Sequence, residues 1–438
     1  MGERIVQQTQ STFVGLLSLV VAGWFGGVTN GESLDDAWSL ALAQNHRLAA
    51  AQMDQAAASA DLSAATAERM PSLSLRSGYT LRSDEPSFVV SDPLPGFGTF
   101  EFPYAQQNSA MAGASVRLPL YTSGRIEHSI LSAEARHHAA EFDSQQARLD
   151  LLFAVGEAYV AVLRAQRELE VTERERESLA AHEAEVERLH SLERASRGDH
   201  LAAQAAAANA DHRRLQARRV LEVAKGKYNR LLGRPLSAPV ELTEIDPQPL
   251  TMSLDQLVQA AYERRPELQS LLAIAKSHEC AASCAQAALR PQVAAEAGWQ
   301  FEENRFGAPE SLATAAVVVD WNLFDGGKTH RTADAERTRA AGLRCLVEDL
   351  KSQIALDLLD ASSQVAEAAE RVEVAAQNIA HTAERLRVAR ERYGRGIALN
   401  SEVLEAQADW TESMRDLHHA TYLRVLAQLR MRYFAGLL

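Results

Sequence analysis

Few residue groups in this chain are spaced for chemistry. Cys280 and Cys284 stand one helical turn apart in an alanine-rich stretch, and with His278 beside them a metal clip can be drawn. Small residues buried on a helix are the better reading of that pair, and with Cys345 lying elsewhere the three cysteines make no disulfide framework. His137-His138 and His418-His419 fall on long helical stretches and read as solvated faces, so neither they nor the cysteines predict a metal. The Glu/Arg-rich run from Glu173 to Glu177 reads as helix-surface pairing. There is no phosphate loop, no HExxH and no serine or cysteine nucleophile in a fitting context. The expectation is therefore a protein without catalysis or cofactor. A net charge of −13 also argues against nucleic acid, which calls for a basic surface.

What the residues do specify is architecture. Aromatics make up only 6% of the chain while alanine abounds, a composition suited to long helices packed side by side. The one strongly apolar run, Phe13 to Phe25, is short for a membrane span and follows Arg4, so residues 1–30 read as a secretory signal cleaved near Gly27 to Gly31. No cysteine follows it to carry a lipid anchor. Beyond residue 31 nothing resembles a transmembrane helix, so any contact with a membrane falls to strands.

The chain is duplicated. Shifted by 220, Ser33-Leu34-Asp35 meets Ser253-Leu254-Asp255, Pro71 meets Pro291 and Gly78 meets Gly298. From Leu120-Tyr121, which meets Leu323-Phe324, the shift is 203, and it holds through Gly124-Arg125 with Gly327-Lys328 to Gly233 with Gly436. The first half is thus 17 residues longer, all of them between Gly78 and Gly124. This excursion, roughly Arg82 to Asn108, is rich in Pro, Ser, Gly and Phe and reads as a surface loop. The repeats are set at 31–234 and 253–438, joined by a linker at 235–252 that carries Pro235, Pro239, Pro247 and Pro249.

Each repeat reads helix, strand, loop, strand, helix, helix. In the second, Val293, Ala295, Ala297, Trp299 and Phe301 alternate with Gln292, Glu296, Gln300 and Glu302 over a strand at about 291–302. The returning strand, about 312–324, puts Val317, Val319, Trp321 and Leu323 opposite Asp320 and Asn322. The first repeat keeps this phase over about 72–83 and 110–121, with Leu73, Leu75, Tyr79 and Leu81 against Ser74, Arg76 and Thr80, and Val116, Leu118 and Leu120 against Ser115 and Arg117. Four strands of about ten residues cannot close a barrel, so a sheet that meets lipid must close with copies of itself. Coiled-coil hairpins follow at about 125–233 and 328–436. In the second, Leu343, Val347, Leu350, Ile354, Leu358 and Ala361 open a seam at spacings of 3 and 4 that runs to Tyr393. It holds one 4-4 step, a stutter that relaxes supercoiling. Paired glycines at Gly394 and Gly396 end it.

The order Leu34, Pro71-Ser-Leu, then Leu118-Pro-Leu-Tyr-x-x-Gly-Arg, repeated as Leu254, Arg265-Pro266-Glu-Leu, then Trp321-Asn-Leu-Phe-Asp-Gly-Gly-Lys, resembles the TolC family of outer-membrane efflux proteins. The pattern Arg-Tyr-x-x-Gly at Arg392 to Gly396, continued to Gln407, is similar to that family's hairpin tip. The resemblance implies a mainly α protein with a transmembrane β part, trimerising into a 12-stranded β-barrel continued by a long coiled-coil α-barrel. It implies an outer-membrane channel-tunnel extending into the periplasm, the exit duct of a tripartite efflux pump or type I secretion system. Its partners are then two further copies, a periplasmic adaptor, an inner-membrane transporter and outer-membrane lipid. Carried over by position from the tip glycine Gly396, Glu402 and Glu405 become acidic rings at the periplasmic entrance. Tyr393 and Asp199 become a hydrogen-bonded lock. Ala398 stands where the family pattern calls for a locking arginine, leaving Arg395 or Arg392 to substitute, and Glu193 replaces the first tip's glycine, which predicts a differently shaped turn. Tyr79, Tyr121, Trp299, Trp321 and Phe324 are expected at lipid interfaces. The competing reading is a coiled-coil periplasmic adaptor or scaffold without a pore, which accounts for the helices but not for two strand pairs of matching phase.

Overall fold

The computed structural model describes residues 31–91, 96, 98–245 and 250–438; the expected signal segment and Pro247 and Pro249 lie outside these. Its elements run α1 (Leu34–Gln44), α2 (His46–Ala67), β1 (Ser72–Leu81), β2 (Ser87–Ser91), β3 (Thr99–Pro103), β4 (Asn108–Tyr121), α3 (Arg125–Ser191) and α4 (Arg197–Leu231). The second half follows with α5 (Leu254–Arg264), α6 (Pro266–Ala287), β5 (Gln292–Glu302), β6 (Ser311–Asp320), α7 (Lys328–Gly394) and α8 (Asn400–Phe434). Helix starts and ends repeat at an offset of 220 for α1 and α2, and of 203 for α3 and α4, the two registers seen in the sequence.

Two features correct the sequence reading. The leading helix of each repeat is two helices, broken at Asn45 and Arg265. At the first break the Asn45 side chain caps α2 by accepting from the N–H groups of Arg47 and Leu48. At the second, Pro266 occupies the first helical position, where its missing N–H costs nothing, and it forces Arg265 into an extended conformation. The excursion between Gly78 and Gly124 holds a two-stranded ribbon, β2 with β3, so the described residues carry six strands and not four.

The main sheet is antiparallel in the order β1-β4-β5-β6. Register sorts its two faces as the alternation predicts: Leu75, Ala114, Trp299 and Ala313 share one face, and Ser74, Ser115, Gly298 and Thr314 the other. On the polar face Arg117 bridges strands, reaching Glu296 at 3.4 Å and Asp320 at 2.7 Å.

Gly124 and Gly327 turn the chain from strand to helix in the left-handed region, at φ of 87° and 83°. The helices they open, α3 and α7, are 67 residues each, about 100 Å at 1.5 Å per residue. Every seam position from Leu343 to Tyr393 is buried or half-buried. Below the sheet the neighbours run α2-α3-α6-α7, and further down α4-α3-α8-α7. Each tier is an open row. The chain thus leaves β1, α2 and α4 as one free margin, and β6 and α7 as the other. Since α2 feeds directly into β1, and β6 into α7, these margins run one above another.

The belt between the tiers is tied by the linker. Glu32 and Leu242 form a parallel bridge, and Tyr159 of α3 donates to the carbonyl oxygens of Glu32 and Thr243 at 2.7 Å each. Glu244 accepts from Arg167 of α3 at 2.5 Å and from the Tyr422 hydroxyl of α8 at 3.1 Å. Among the described residues no helix is long and apolar enough to cross a membrane.

Candidate functional site

The far ends of the two hairpins form the site. Helix α7 ends at Gly394 with Arg395 as its cap, and Gly396 takes φ +77° so that its N–H bonds Tyr393 O at 2.8 Å while the Ile397 N–H bonds Arg392 O at 2.9 Å. This reciprocal pair closes the last turn and satisfies two orphan carbonyls. The first hairpin does the same: Glu193 N–H bonds His190 O at 2.9 Å and Arg194 N–H bonds Leu189 O at 2.8 Å, with Glu193 at φ +61°. The expected difference in turn shape is absent. Glu193 instead accepts the left-handed conformation, a strain of about 1 kcal/mol for a residue with a Cβ.

Glu402 and Glu405 lie on the first turns of α8. The Glu402 carboxylate accepts from Leu399 N–H at 3.2 Å, capping the helix, and Arg392 approaches it to 3.8 Å. Glu405 is well exposed and lies 3.4 Å from Arg385. Asp409, one turn further along the same face, pairs with Arg385 too. Sequence reasoning missed these countercharges: Arg385 and Arg392 stand seven apart on α7, the interval that repeats on one helix face, and that was the available signal. Three carboxylates and two guanidinium groups leave the patch one net negative charge per chain.

Tyr393 and Asp199 do not bond within the chain. The Asp199 carboxylate turns back on Ser196, accepting from its N–H at 3.2 Å and its hydroxyl at 2.7 Å to complete the cap of α4. Among the described residues the buried Tyr393 hydroxyl has no hydrogen-bond partner, and its ring packs against that of His182 at 5.4 Å. Burial, reinforced by the nearby carboxylates of Asp199 and Glu185, raises the Tyr393 pKa. Arg395 pairs at 2.5 Å with Glu391 of its own helix, so neither it nor Arg392 reaches the first hairpin.

The hairpins are joined by groups that no sequence motif announced. His182 of α3 donates from Nε2 to Asn400 Oδ1 at 2.7 Å, and Asn400 donates to the Asp199 carbonyl at 3.2 Å. Burial holds the His182 pKa below its ordinary value, opposed by the Asn400 hydrogen bond. Higher up, Ser178 of α3 meets Gln407 of α8 and Arg390 of α7. Higher still, the buried Glu175 accepts from Arg213 of α4 at 2.8 and 3.2 Å and from Arg415 of α8 at 3.2 Å, while Arg415 also reaches Glu168 at 2.9 Å. Within each hairpin the packing is mainly apolar, with Val186, Leu189 and Ala203 in one and Leu386, Ala389 and Val403 in the other. Between α3 and α8 these polar links lie toward the tips, while nearer the belt Val155, Tyr159 and Val162 of α3 share one apolar cluster with Tyr422, Val425 and Leu429 of α8. Only the tip portion can be parted at modest cost once water reaches its polar groups.

At the opposite end the aromatics expected at lipid interfaces are exposed: Tyr79, Tyr121, Trp299, Trp321 and Phe324. Trp299 donates to Ser311 Oγ at 2.8 Å across the strand pair, and Trp321 to the Leu289 carbonyl at 3.1 Å where sheet meets helix. Cys280 is buried, Cys284 half-buried and Cys345 exposed, and His278 bonds Glu336 at 2.6 Å.

Solved structures share this arrangement. The outer membrane protein VceC of Vibrio cholerae superposes with a TM-score of 0.75 at 17% identity, covering 92% of this chain and 96% of that one. The CmeC outer membrane channel of Campylobacter jejuni gives 0.77 at 13% identity, covering 92% and 85%. The open state of the MtrE outer membrane channel of Neisseria gonorrhoeae gives 0.70 at 17%, covering 92% and 89%. Among curated proteins no sequence match is found. The outer membrane efflux protein profile matches residues 37–234 and 257–437, nearly all of both repeats. The chain belongs to the outer membrane efflux protein family, as a channel of TolC type in the outer membrane that extends into the periplasm.

Proposed function

We propose that three copies close cyclically into one duct, and that this duct is the exit conduit of a tripartite pump or type I secretion system, served by a periplasmic adaptor and an inner-membrane transporter. The observation that carries this reading is the pair of free margins. Sheet, upper helices and lower helices each end in an open row, and the margins lie in line from top to bottom. A sheet edge in hydrocarbon leaves backbone groups unpaired at several kcal/mol each, so β1 must find β6 of a second copy. The helical margins carry the matching demand: Leu201, Leu215 and Val220 of α4, and Leu346, Leu356 and Val374 of α7, are exposed in the single chain. Contact of unlike margins is head-to-tail and closes as a ring. With four main-sheet strands from each copy, three copies make a 12-stranded barrel.

In that ring Glu402, Glu405 and Asp409 face the entrance, tempered by Arg385 and Arg392. Three net negative charges around a narrow opening favour cations and bind multivalent blockers. The α7–α8 hairpin opens it by its tip portion parting from α3 along the polar links between Glu175 and His182. Tyr393, Gly396, Asp199 and Arg395 shape the tips, and the exposed aromatics of the strands sit at the lipid boundaries. Light scattering of the detergent-solubilised protein tests the assembly. A particle near three times the chain mass supports the ring, and a monodisperse, folded monomer or dimer refutes it. The scaffold alternative predicts a water-soluble protein with no partition into outer membrane.

A further inference from the structure

The ribbon β2–β3 breaks the symmetry of the repeats, and its two faces differ. Phe88 stands opposite Phe102 and Val90 opposite Phe100, and Tyr104, whose N–H bonds Pro86 O at 3.1 Å, continues that face. Val89 with Glu101, and Ser91 with Thr99, make the other, which carries the one charged residue of the two strands. The rings of Phe88 and Tyr104 lie 4.7 Å apart, yet Phe88 remains 64% exposed and Phe102 55%. A two-stranded ribbon is marginal in water by itself, and a contiguous aromatic face on it marks a contact surface.

Register says which way the aromatic face looks. Arg82 N–H bonds Gln107 O at 2.8 Å, which continues the pairing of the main sheet, and the next pairing is Tyr104 with Pro86. The outgoing strand therefore holds one extra residue between Arg82 and Pro86, and the returning strand none. Counted by twos along the returning strand, Phe100, Phe102 and Tyr104 fall on the side of Ala110, Ala112 and Ala114, shared with Leu75, Tyr79 and Trp299. That is the apolar side of the sheet, the one turned to lipid. Height agrees. At about 3.4 Å per residue and a tilt near 40°, β4 rises about 28 Å from Tyr121 to Ala110, close to the height of an outer-membrane apolar band. Ala110 lies opposite Tyr79. Gln107 then stands about 8 Å higher, at the top of the headgroup layer. Both strands bend at this level, at Ser83 and Asp84 and at Ala105 and Gln107. The base is held to the rim: Gln106 donates to Glu303 O at 2.9 Å, Asn304 to Tyr104 O at 2.9 Å, and Arg305 pairs with Glu85 at 2.5 Å. A ribbon leaning outward from here turns its aromatic face down onto lipid and its Glu101 face up to water.

We infer that each ribbon folds over the barrel rim and lays Phe88, Phe100, Phe102 and Tyr104 into the outer leaflet of the outer membrane, an interfacial foot beyond the barrel's own aromatic girdle. The inference rests on the sheet forming a lipid-embedded barrel, as proposed above. It is tested by nitroxide labelling of the full chain in phosphatidylcholine vesicles, in a background with Cys280, Cys284 and Cys345 replaced by serine. Phe102→Cys and Glu101→Cys report the two faces of the ribbon. Val317→Cys, paired with Ala295 on the apolar side of β6, reports the barrel. The readout is the ratio of collisions with oxygen, which concentrates in lipid, to collisions with a water-soluble nickel chelate. That ratio is expected to be about fivefold higher at Phe102 than at Glu101. Phe100→Cys, on the same face, should match Phe102. Water-like ratios at Phe102 and Phe100 with a lipid-like ratio at Val317 overturn the foot and leave the barrel standing. Dipolar broadening between Phe102 labels of different copies also overturns the foot, since the ribbons would then face one another. A water-like ratio at Val317 overturns the barrel, and the foot with it.

Discussion

Replacing Glu175 by alanine is expected to cost about 3 kcal/mol, the low end of what breaking a buried ion pair costs. The side chain is 6% exposed and accepts three N–H groups from two guanidinium groups, so its loss strands both. The figure sits at the low end because Arg213 is 40% exposed and rehydrates, and because Arg415 keeps Glu168. Arg415→Met removes the link between hairpins but leaves Glu175 on Arg213, and so should cost about 1–2 kcal/mol, a hydrogen bond to a charged group. The two changes share one carboxylate, so the double variant should fall short of their sum by about 1 kcal/mol. Helical circular dichroism of the detergent-solubilised protein through a urea series gives these differences. Glu173→Ala, an exposed neighbour on the same helix, is the control and should stay within about 0.5 kcal/mol. If Glu175→Ala behaves like that control, the buried cluster does not hold α3, α4 and α8 together.

Gly396→Ala and Gly233→Ala should separate by size in the same urea series. Both glycines have positive φ, but a Cβ at Gly396 meets nothing within 4 Å while one at Gly233 meets Gln44 O at 2.6 Å, so the first costs about 1 kcal/mol and the second clearly more. Glu193→Gly relieves the strained first tip and should be neutral to stabilising by up to about 1 kcal/mol; a destabilised variant contradicts the turn geometry. His182 supplies a pH dependence whose sign is fixed by its lowered pKa. The unfolded chain protonates first as pH falls below about 6.5, so stability present above that value is lost on the way down to the folded pKa. His182→Gln should flatten part of the decline in melting temperature between about pH 7 and pH 5, and an unchanged decline would count against the buried imidazole.

Period and repetition made most of the architecture legible. The alternation from Val293 to Phe301 gave the faces of the sheet because side chains of a strand change sides at every residue, and the register confirms the sorting. The 3-4 spacing from Leu343 to Tyr393 marked the α7 seam for the equivalent reason. The break at Asn45 went unread because a single capping residue inside an alanine-rich run barely perturbs helix propensity. The ribbon was hidden by masked alternation: Phe88-Val89-Val90 is apolar at every position, so its period of two is lost. At the tips, residue types gave the turn at Gly396 but not the partners of the charges. Those depend on which helix lies beside which, as Arg385 with Glu405 and His182 with Asn400 show.

The most direct test of the duct is single-channel conductance in planar bilayers, comparing the native protein with Glu402→Ala/Glu405→Ala. A small cation-selective conductance, with selectivity lost in the variant, is the predicted result. Selectivity unchanged by the substitutions would contradict the acidic entrance, and the absence of any channel from folded trimers would contradict the duct itself.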